Sequence, residues 1–99
     1  MKIDFNKKFT NFNGEILKDS QSQKELSLKD VCVEALMVVD QKEEIGGEEK
    51  VKRYNLALDI YNGKKENLSS EEIVLLKELI GRYFSTIVVG QALKMLEND

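Results

Sequence analysis

The sequence predicts an α+β fold that is mostly α-helical, with an N-terminal β-hairpin followed by about four helices packed as a small bundle. Two observations indicate this class. An Asn-Gly pair near the start stands between short alternating segments, as in a hairpin turn. Apolar residues then recur at helical spacing through the rest of the chain. A chain of 99 residues suits a single domain, residues 1–99, because one core typically occupies roughly 50–200 residues.

Residues 1–19 form the predicted hairpin. Ile3 and Phe5 alternate with polar residues, and Asn13-Gly14 supplies the positive-φ conformations that a tight turn needs. The arm that returns from this turn is only about three residues long, so the hairpin requires support from another element.

Residues 20–26 are polar, and we interpret them as a linker to a helical body that spans residues 27–97. Two helices of that body have clear start signals. Ser27 and Ser69 each follow an apolar residue and precede an acidic residue by three positions, which is the pattern of a capping box with a hydrophobic staple. The first and third helices are therefore expected to begin at these serines.

The second predicted helix follows Gly46-Gly47 and ends at Asn62-Gly63. Its apolar residues recur every three or four positions, and we interpret them as a core stripe. These residues are Val51, Tyr54, Ala57, Leu58 and Tyr61. The fourth helix is expected to begin near Ser85.

The core predicted for the whole domain draws on all four helices and comprises Val31, Leu36, Leu58, Leu76, Ile80 and Met95. Gly90 lies inside the fourth helix, where a glycine costs about 1 kcal/mol of helix propensity relative to alanine. Close approach of another helix is the simplest compensation, so we expect a helix backbone packed against Gly90.

The amino-acid composition excludes most kinds of catalytic site. The chain has no His and one Cys, so it lacks an imidazole base, a histidine-assisted nucleophile, an internal disulfide and a multi-thiolate metal site. Gly46-Gly47 fails the spacing of a phosphate-binding loop, and the segment around Gly63 fails that of a calcium loop. We therefore expect no catalytic residue, no cofactor and no metal, and a protein that is not an enzyme.

The charge pattern bears on partners and location. The formal net charge is −3, without the overall basic character of a DNA-binding protein. The densest local basic patch comprises Lys50, Lys52, Arg53, Lys64 and Lys65, which we interpret first as a solvated face. The chain contains no membrane-length apolar run and no signal-peptide pattern, so we expect a cytoplasmic protein with Cys32 as a free thiol.

The candidate interface consists of four apolar residues, because Val33, Met37 and one of Tyr83 or Phe84 lack an obvious place in a single core. The four residues are Val33, Met37, Tyr83 and Phe84. Exposed together, they would form the kind of apolar patch that marks a protein–protein contact. A two-fold homodimer is the simplest arrangement that covers them. The alternative is a monomer whose hairpin folds over the first helix.

Several linked segments resemble one group of proteins. The likeness is carried by four parts of the chain: Asn13-Gly14, the segment from Leu28 to Leu36, the stretch Gly47-Glu48-Glu49-Lys50 leading into Arg53-Tyr54 and Ala57, and the final segment from Ile80-Gly81 to Leu96-Glu97. The chain resembles a family of small uncharacterised proteins encoded by tailed phages and prophages. Similar proteins often place Pro just before the last helix, where this chain has Thr86. The resemblance implies a phage accessory protein that acts inside a bacterium.

Two functions are consistent with these features. The first is a non-catalytic protein-binding module, either an inhibitor of a host factor or an accessory of virion assembly, whose partner is a phage or host protein. The alternative is a nucleic-acid-associated phage regulator that uses the local Lys/Arg patch. Salt dependence of nucleic-acid binding separates them, because neutralised phosphates release counterions.

Overall fold

The computed structural model describes residues 3–19, 22–38, 42–65 and 67–97. Its helices are α1 (Leu28–Met37), α2 (Gly47–Tyr61), α3 (Ser70–Tyr83) and α4 (Thr86–Glu97). The central helix is α1, which packs against the other three, whereas α1 is the only helix of the described chain against which α2 packs. The expectation of a mostly α-helical fold with four helices is thus confirmed.

The two predicted capping boxes are present. The Ser27 hydroxyl accepts the Asp30 N–H at 3.3 Å, and the Asp30 carboxylate accepts the Ser27 N–H in return. Ser69 and Glu72 exchange the same pair of bonds at 3.1 and 2.8 Å. Each box satisfies two backbone donors that have no partner inside the helix, which fixes where α1 and α3 begin.

The segment before α1 differs from the predicted two-stranded hairpin, which is not confirmed. Three short segments each pair with the other two. The Leu17 N–H donates to the Phe9 carbonyl at 2.8 Å, Leu26 donates to Leu17 at 2.8 Å, and Phe9 donates to Leu26 at 3.2 Å. Isolated antiparallel bridges accompany this ring at Lys8–Ser27, Thr10–Ile16 and Lys18–Glu25.

This pairing includes residues 22–26, most of the segment interpreted as a linker, and leaves it tied to the N-terminal segment by backbone hydrogen bonds. Residues 1–2 of the predicted hairpin and residues 20–21 of the predicted linker lie outside the described residues. Because this stretch is mostly polar, its composition did not predict that Leu26 takes part in backbone pairing. The Leu26 backbone makes two of the three hydrogen bonds in the ring.

A side chain of α4 anchors the N-terminal segment. The Thr10 N–H donates to Gln91 Oε1 at 3.0 Å, and Gln91 Nε2 donates to the Thr10 carbonyl at 2.7 Å. The amide therefore binds Thr10 as a neighbouring strand would, on both polar groups of its backbone. The adjacent Phe9 ring is fully buried in the core.

The predicted core is largely, but not entirely, confirmed. Val31, Leu36, Leu76 and Ile80 are buried, and Met95 is half-buried against the core. The prediction that Leu58 is buried is wrong, because this residue is 42% exposed. The cause is the rotation of α2, which turns Leu56, Ala57 and Ile60 inward instead.

The expected helix contact at Gly90 is also wrong. Gly90 is exposed, and a Cβ placed on it meets no atom within 4 Å. No contact with another described residue offsets its low helix propensity.

Replacing Gly90 with alanine should stabilise the fold by up to about 1 kcal/mol, because alanine restricts the unfolded chain more and fits the open site. Urea unfolding measures the change. Gly14→Ala is the matched control, because Gly14 has a φ of +90° and alanine there should destabilise. A loss of stability in Gly90→Ala would contradict the open site.

Leu76→Ala should reduce the free energy of unfolding by about 2–5 kcal/mol, because the side chain is fully buried and its removal leaves a cavity. Val74→Ala on the same helix is the control. Val74 is 62% exposed, so its truncation should change stability by less than about 0.5 kcal/mol. Equal effects of the two variants in denaturant melts would exclude this core assignment.

Candidate functional site

A buried arginine connects α2 to the rest of the helical body. Arg53 is only 6% exposed, and its two terminal nitrogens donate to the Glu43 carboxylate at 3.1 and 3.3 Å. Its Nε donates to Glu49 at 3.2 Å. Arg82 on α3 donates to the same Glu43 carboxylate at 3.1 Å. One acidic side chain thus joins the arginines of two helices that do not pack directly against each other.

This arrangement neutralises its own charges. The hydrogen bonds from Arg53 and then Arg82 hold the pKa of Glu43 below its ordinary value, so this carboxylate is ionised at neutral pH. In the described residues no buried side-chain nitrogen or oxygen is left without a hydrogen-bond partner. A carboxylate held by two guanidinium groups is a poor general base, and we assign the cluster a structural role.

Four of the five α2 residues that the sequence assigned to the core are exposed, whereas the fifth, Ala57, is buried. Val51 is 57%, Tyr54 52%, Leu58 42% and Tyr61 61% exposed. We call these four residues the α2 stripe. Their spacings of three, four and three residues place them along one side of the helix, as the a and d positions of two coiled-coil heptads do. Exposed apolar stripes of this kind are typical of protein-binding surfaces.

Arg53 explains why the stripe points outward. Successive residues of an α-helix are rotated by about 100°, so Arg53 lies about 160° from Val51 around α2. Leu56 and Ile60 share the buried side with Arg53. With that side turned toward the body, the stripe is left at the surface.

The stripe borders a face of α1. Lys29 Nζ lies 5.3 Å from the centre of the Tyr61 ring, which places the start of α1 beside the end of α2. Helical spacing puts Lys29, Val33 and Met37 on one side of α1. Met37 is 50% exposed and Val33 is half-buried against the core. Two predicted interface residues therefore share the α1 face that meets the stripe at Tyr61.

The other two predicted interface residues lie elsewhere. Tyr83 ends α3, Phe84 follows it, and both are half-buried against the core. Arg82 lies 5.8 Å from the centre of the Tyr83 ring. The interface predicted from the sequence is thus divided between α1 and the junction of α3 and α4. The sequence showed the α2 stripe as a pattern but assigned it to the core instead of the surface.

The predicted basic patch is not brought together. Arg53 is buried and ion-paired, so it adds nothing to an exposed basic surface. Lys50 and Lys52 are exposed in the first half of α2, whereas Lys64 and Lys65 follow its last turn. Lys65 also pairs with Glu72 at 3.2 Å. A helix of 15 residues is about 22 Å long, so the two lysine pairs belong to opposite ends.

The described residues were also compared with the requirements of a metal site, a reactive thiol and a membrane-spanning helix. Over the described ranges, no three His, Cys, Asp or Glu side chains are grouped so that they could hold a metal ion. Burial raises the pKa of the Cys32 thiol to about 12, which makes it a poor nucleophile at neutral pH. No helix within the described residues is long and apolar enough to cross a membrane.

Comparison of the chain with protein-family models, curated proteins and solved structures finds no match. The α2 stripe is therefore interpreted from its own geometry, and the resemblance to phage-encoded proteins stays a prediction.

Glu43→Gln should lower the free energy of unfolding at neutral pH by about 1–3 kcal/mol, because buried Arg53 loses one of its two carboxylate partners and keeps only Glu49. The lowered pKa of Glu43 means that its contribution is complete above pH 4.5 and is lost as the pH falls through the lowered value. The difference between parent and variant should therefore shrink in acid, as measured by denaturant melts across a pH series.

Glu44→Gln is the matched control, since Glu44 is the exposed neighbour of Glu43 and its replacement should change the free energy of unfolding at neutral pH by less than about 0.5 kcal/mol. The acid sensitivity that remains in Glu43→Gln should include Glu72. The pKa of Glu72 is lowered overall. Burial alone would raise this pKa, but the hydrogen bonds from the Ser69 N–H and Lys65 lower it by more. A parent–variant difference that stays constant with pH would contradict the ion-pair assignment.

Proposed function

We propose that this chain is a non-catalytic protein-binding module, acting as a small phage-encoded accessory protein in the cytoplasm of a bacterial host. The observation that supports the proposal is the α2 stripe, four large apolar side chains exposed along one helix. Inhibition of a host factor and assistance in virion assembly both require such a surface.

The dimensions of the stripe favour a helix as the partner element. From Val51 to Tyr61 the stripe runs about 15 Å, or roughly three helical turns. A helix with apolar residues at a and d positions has the same width and period, and two such seams interlock side chain by side chain. We propose a partner that presents a helix with this apolar seam.

The composition of the stripe favours a protein over a nucleic acid. Tyr54 and Tyr61 provide large, amphipathic rings of the type enriched in protein interfaces. The basic groups that would bind phosphates are separated along α2, and Arg53 is already neutralised by Glu43 and Glu49. Phosphate binding needs several exposed cations that act together.

Site-specific photo-cross-linking tests the proposal. A photoreactive phenylalanine analogue is placed at Tyr54 or Tyr61 in the full chain, and the bacterial cells are irradiated. We expect adducts from both positions, with the cross-linked residue of the partner on a helix that carries an apolar a/d seam. Adding Leu58→Glu should abolish them, because it puts a charge into the seam.

Val74 is the control position, because it is as exposed as the stripe residues but lies on α3. Adducts that arise equally from Val74, or the absence of adducts from both tyrosine positions, would overturn the proposal. Binding of duplex DNA and RNA at two salt concentrations completes the test, since affinity that falls steeply with salt would favour the regulator.

A further inference from the structure

We infer that the helix that binds the α2 stripe is the α2 of a second copy of this chain, packed antiparallel around a two-fold axis. The inference rests on the proposed function and names the partner of the same surface. Three features of α2 support it: the order of side-chain sizes along the stripe, the distribution of charge between the helix ends, and the position of α2 at the edge of the fold.

The order of sizes along the stripe is self-complementary only in the antiparallel sense. An axis midway between Tyr54 and Leu58 sets Val51 against the partner's Tyr61 and Tyr54 against the partner's Leu58. Every layer then combines one tyrosine with one smaller aliphatic residue, so the layers have similar volumes. A parallel pairing would stack Val51 on Val51 and Tyr54 on Tyr54, giving layers of unequal width.

The charges at the ends of α2 favour the same orientation. Glu48 and Glu49 lie in its first turn, and Lys64 and Lys65 follow its last turn. Antiparallel pairing brings the acidic end of each helix beside the basic end of the other and aligns the helix dipoles favourably. Glu48 and Lys64 are exposed and form no ion pair with any other described residue, so both are available for this contact.

The location of α2 gives the second copy access. Among the described helices α2 packs against α1 alone, so neither α3 nor α4 covers its outer side. Four exposed side chains on one helix make a small contact, which belongs to the size class of weak and transient interfaces. We therefore expect a dimer that forms in the micromolar range.

Sedimentation velocity of the full chain over a micromolar concentration series tests the association. The apparent mass should rise from 11.3 kDa toward twice that value as the concentration increases. Leu58→Glu and Tyr54→Lys should each remain at one chain mass, with a circular dichroism spectrum like that of the parent. Val74→Glu, which adds a charge at an exposed apolar site on α3, should associate as the parent does.

Disulfide trapping tests the orientation. Chains carrying Val51→Cys should cross-link readily to chains carrying Tyr61→Cys when the two are mixed and oxidised. Val51→Cys alone should cross-link poorly, because antiparallel helices hold the two copies of this position about 15 Å apart, beyond the reach of a disulfide. Native Cys32 is buried and does not compete.

Three results would contradict the antiparallel dimer. One chain mass at all concentrations, a dimer that survives both stripe variants, or efficient cross-linking of Val51→Cys to itself would overturn it. Failure here is distinguishable from failure of the proposed function. A monomer whose Tyr54 position still cross-links to a seam-bearing helix of another protein refutes self-pairing alone, whereas a monomer with no adduct refutes both.

Discussion

The ion pair between the buried Arg53 and the partly exposed Glu43 links α2 to the segment before it and, through Arg82, to α3. A guanidinium removed from water needs an ionised partner and hydrogen bonds for its donors, and Glu43 and Glu49 supply them. Because Arg82 binds the same Glu43 carboxylate, this interaction extends to α3, against which α2 does not pack. The geometry of a bidentate pair is narrow, and it favours the same rotation of α2 that buries Leu56, Ala57 and Ile60.

That rotation decides which apolar face of α2 is buried. The inner face consists of Leu56, Ala57 and Ile60 beside Arg53, and its aliphatic side chains allow close packing against α1. The outer face carries two exposed tyrosines, whose rings are available for a partner. The bulkier stripe is thus exposed, on the side of α2 away from the Arg53–Glu43 ion pair.

Local signals in the sequence predict local features well. The starts of α1 and α3 follow from Ser27 and Ser69, because a capping box is formed by residues only three positions apart. The buried face of α2 is not predictable in this way, because the helical period fits two apolar stripes and the choice depends on Glu43, ten residues before Arg53. The N-terminal pairing depends similarly on Gln91, which lies 81 residues from Thr10. The α2 stripe was visible in the sequence as a pattern, and only its exposure required the structure.

The attachment of α2 to a single neighbouring helix links stability to binding. As an edge helix, α2 buries one side against α1 and exposes the other, so less of its surface is removed from water than in α1. In the proposed dimer the second copy covers the exposed side, and α2 then lies between two helices. Association that favours the folded state adds to the free energy of unfolding in proportion to the logarithm of concentration. Arg53 would then act at a distance on assembly, because a helix free to rotate presents no single stripe to its partner.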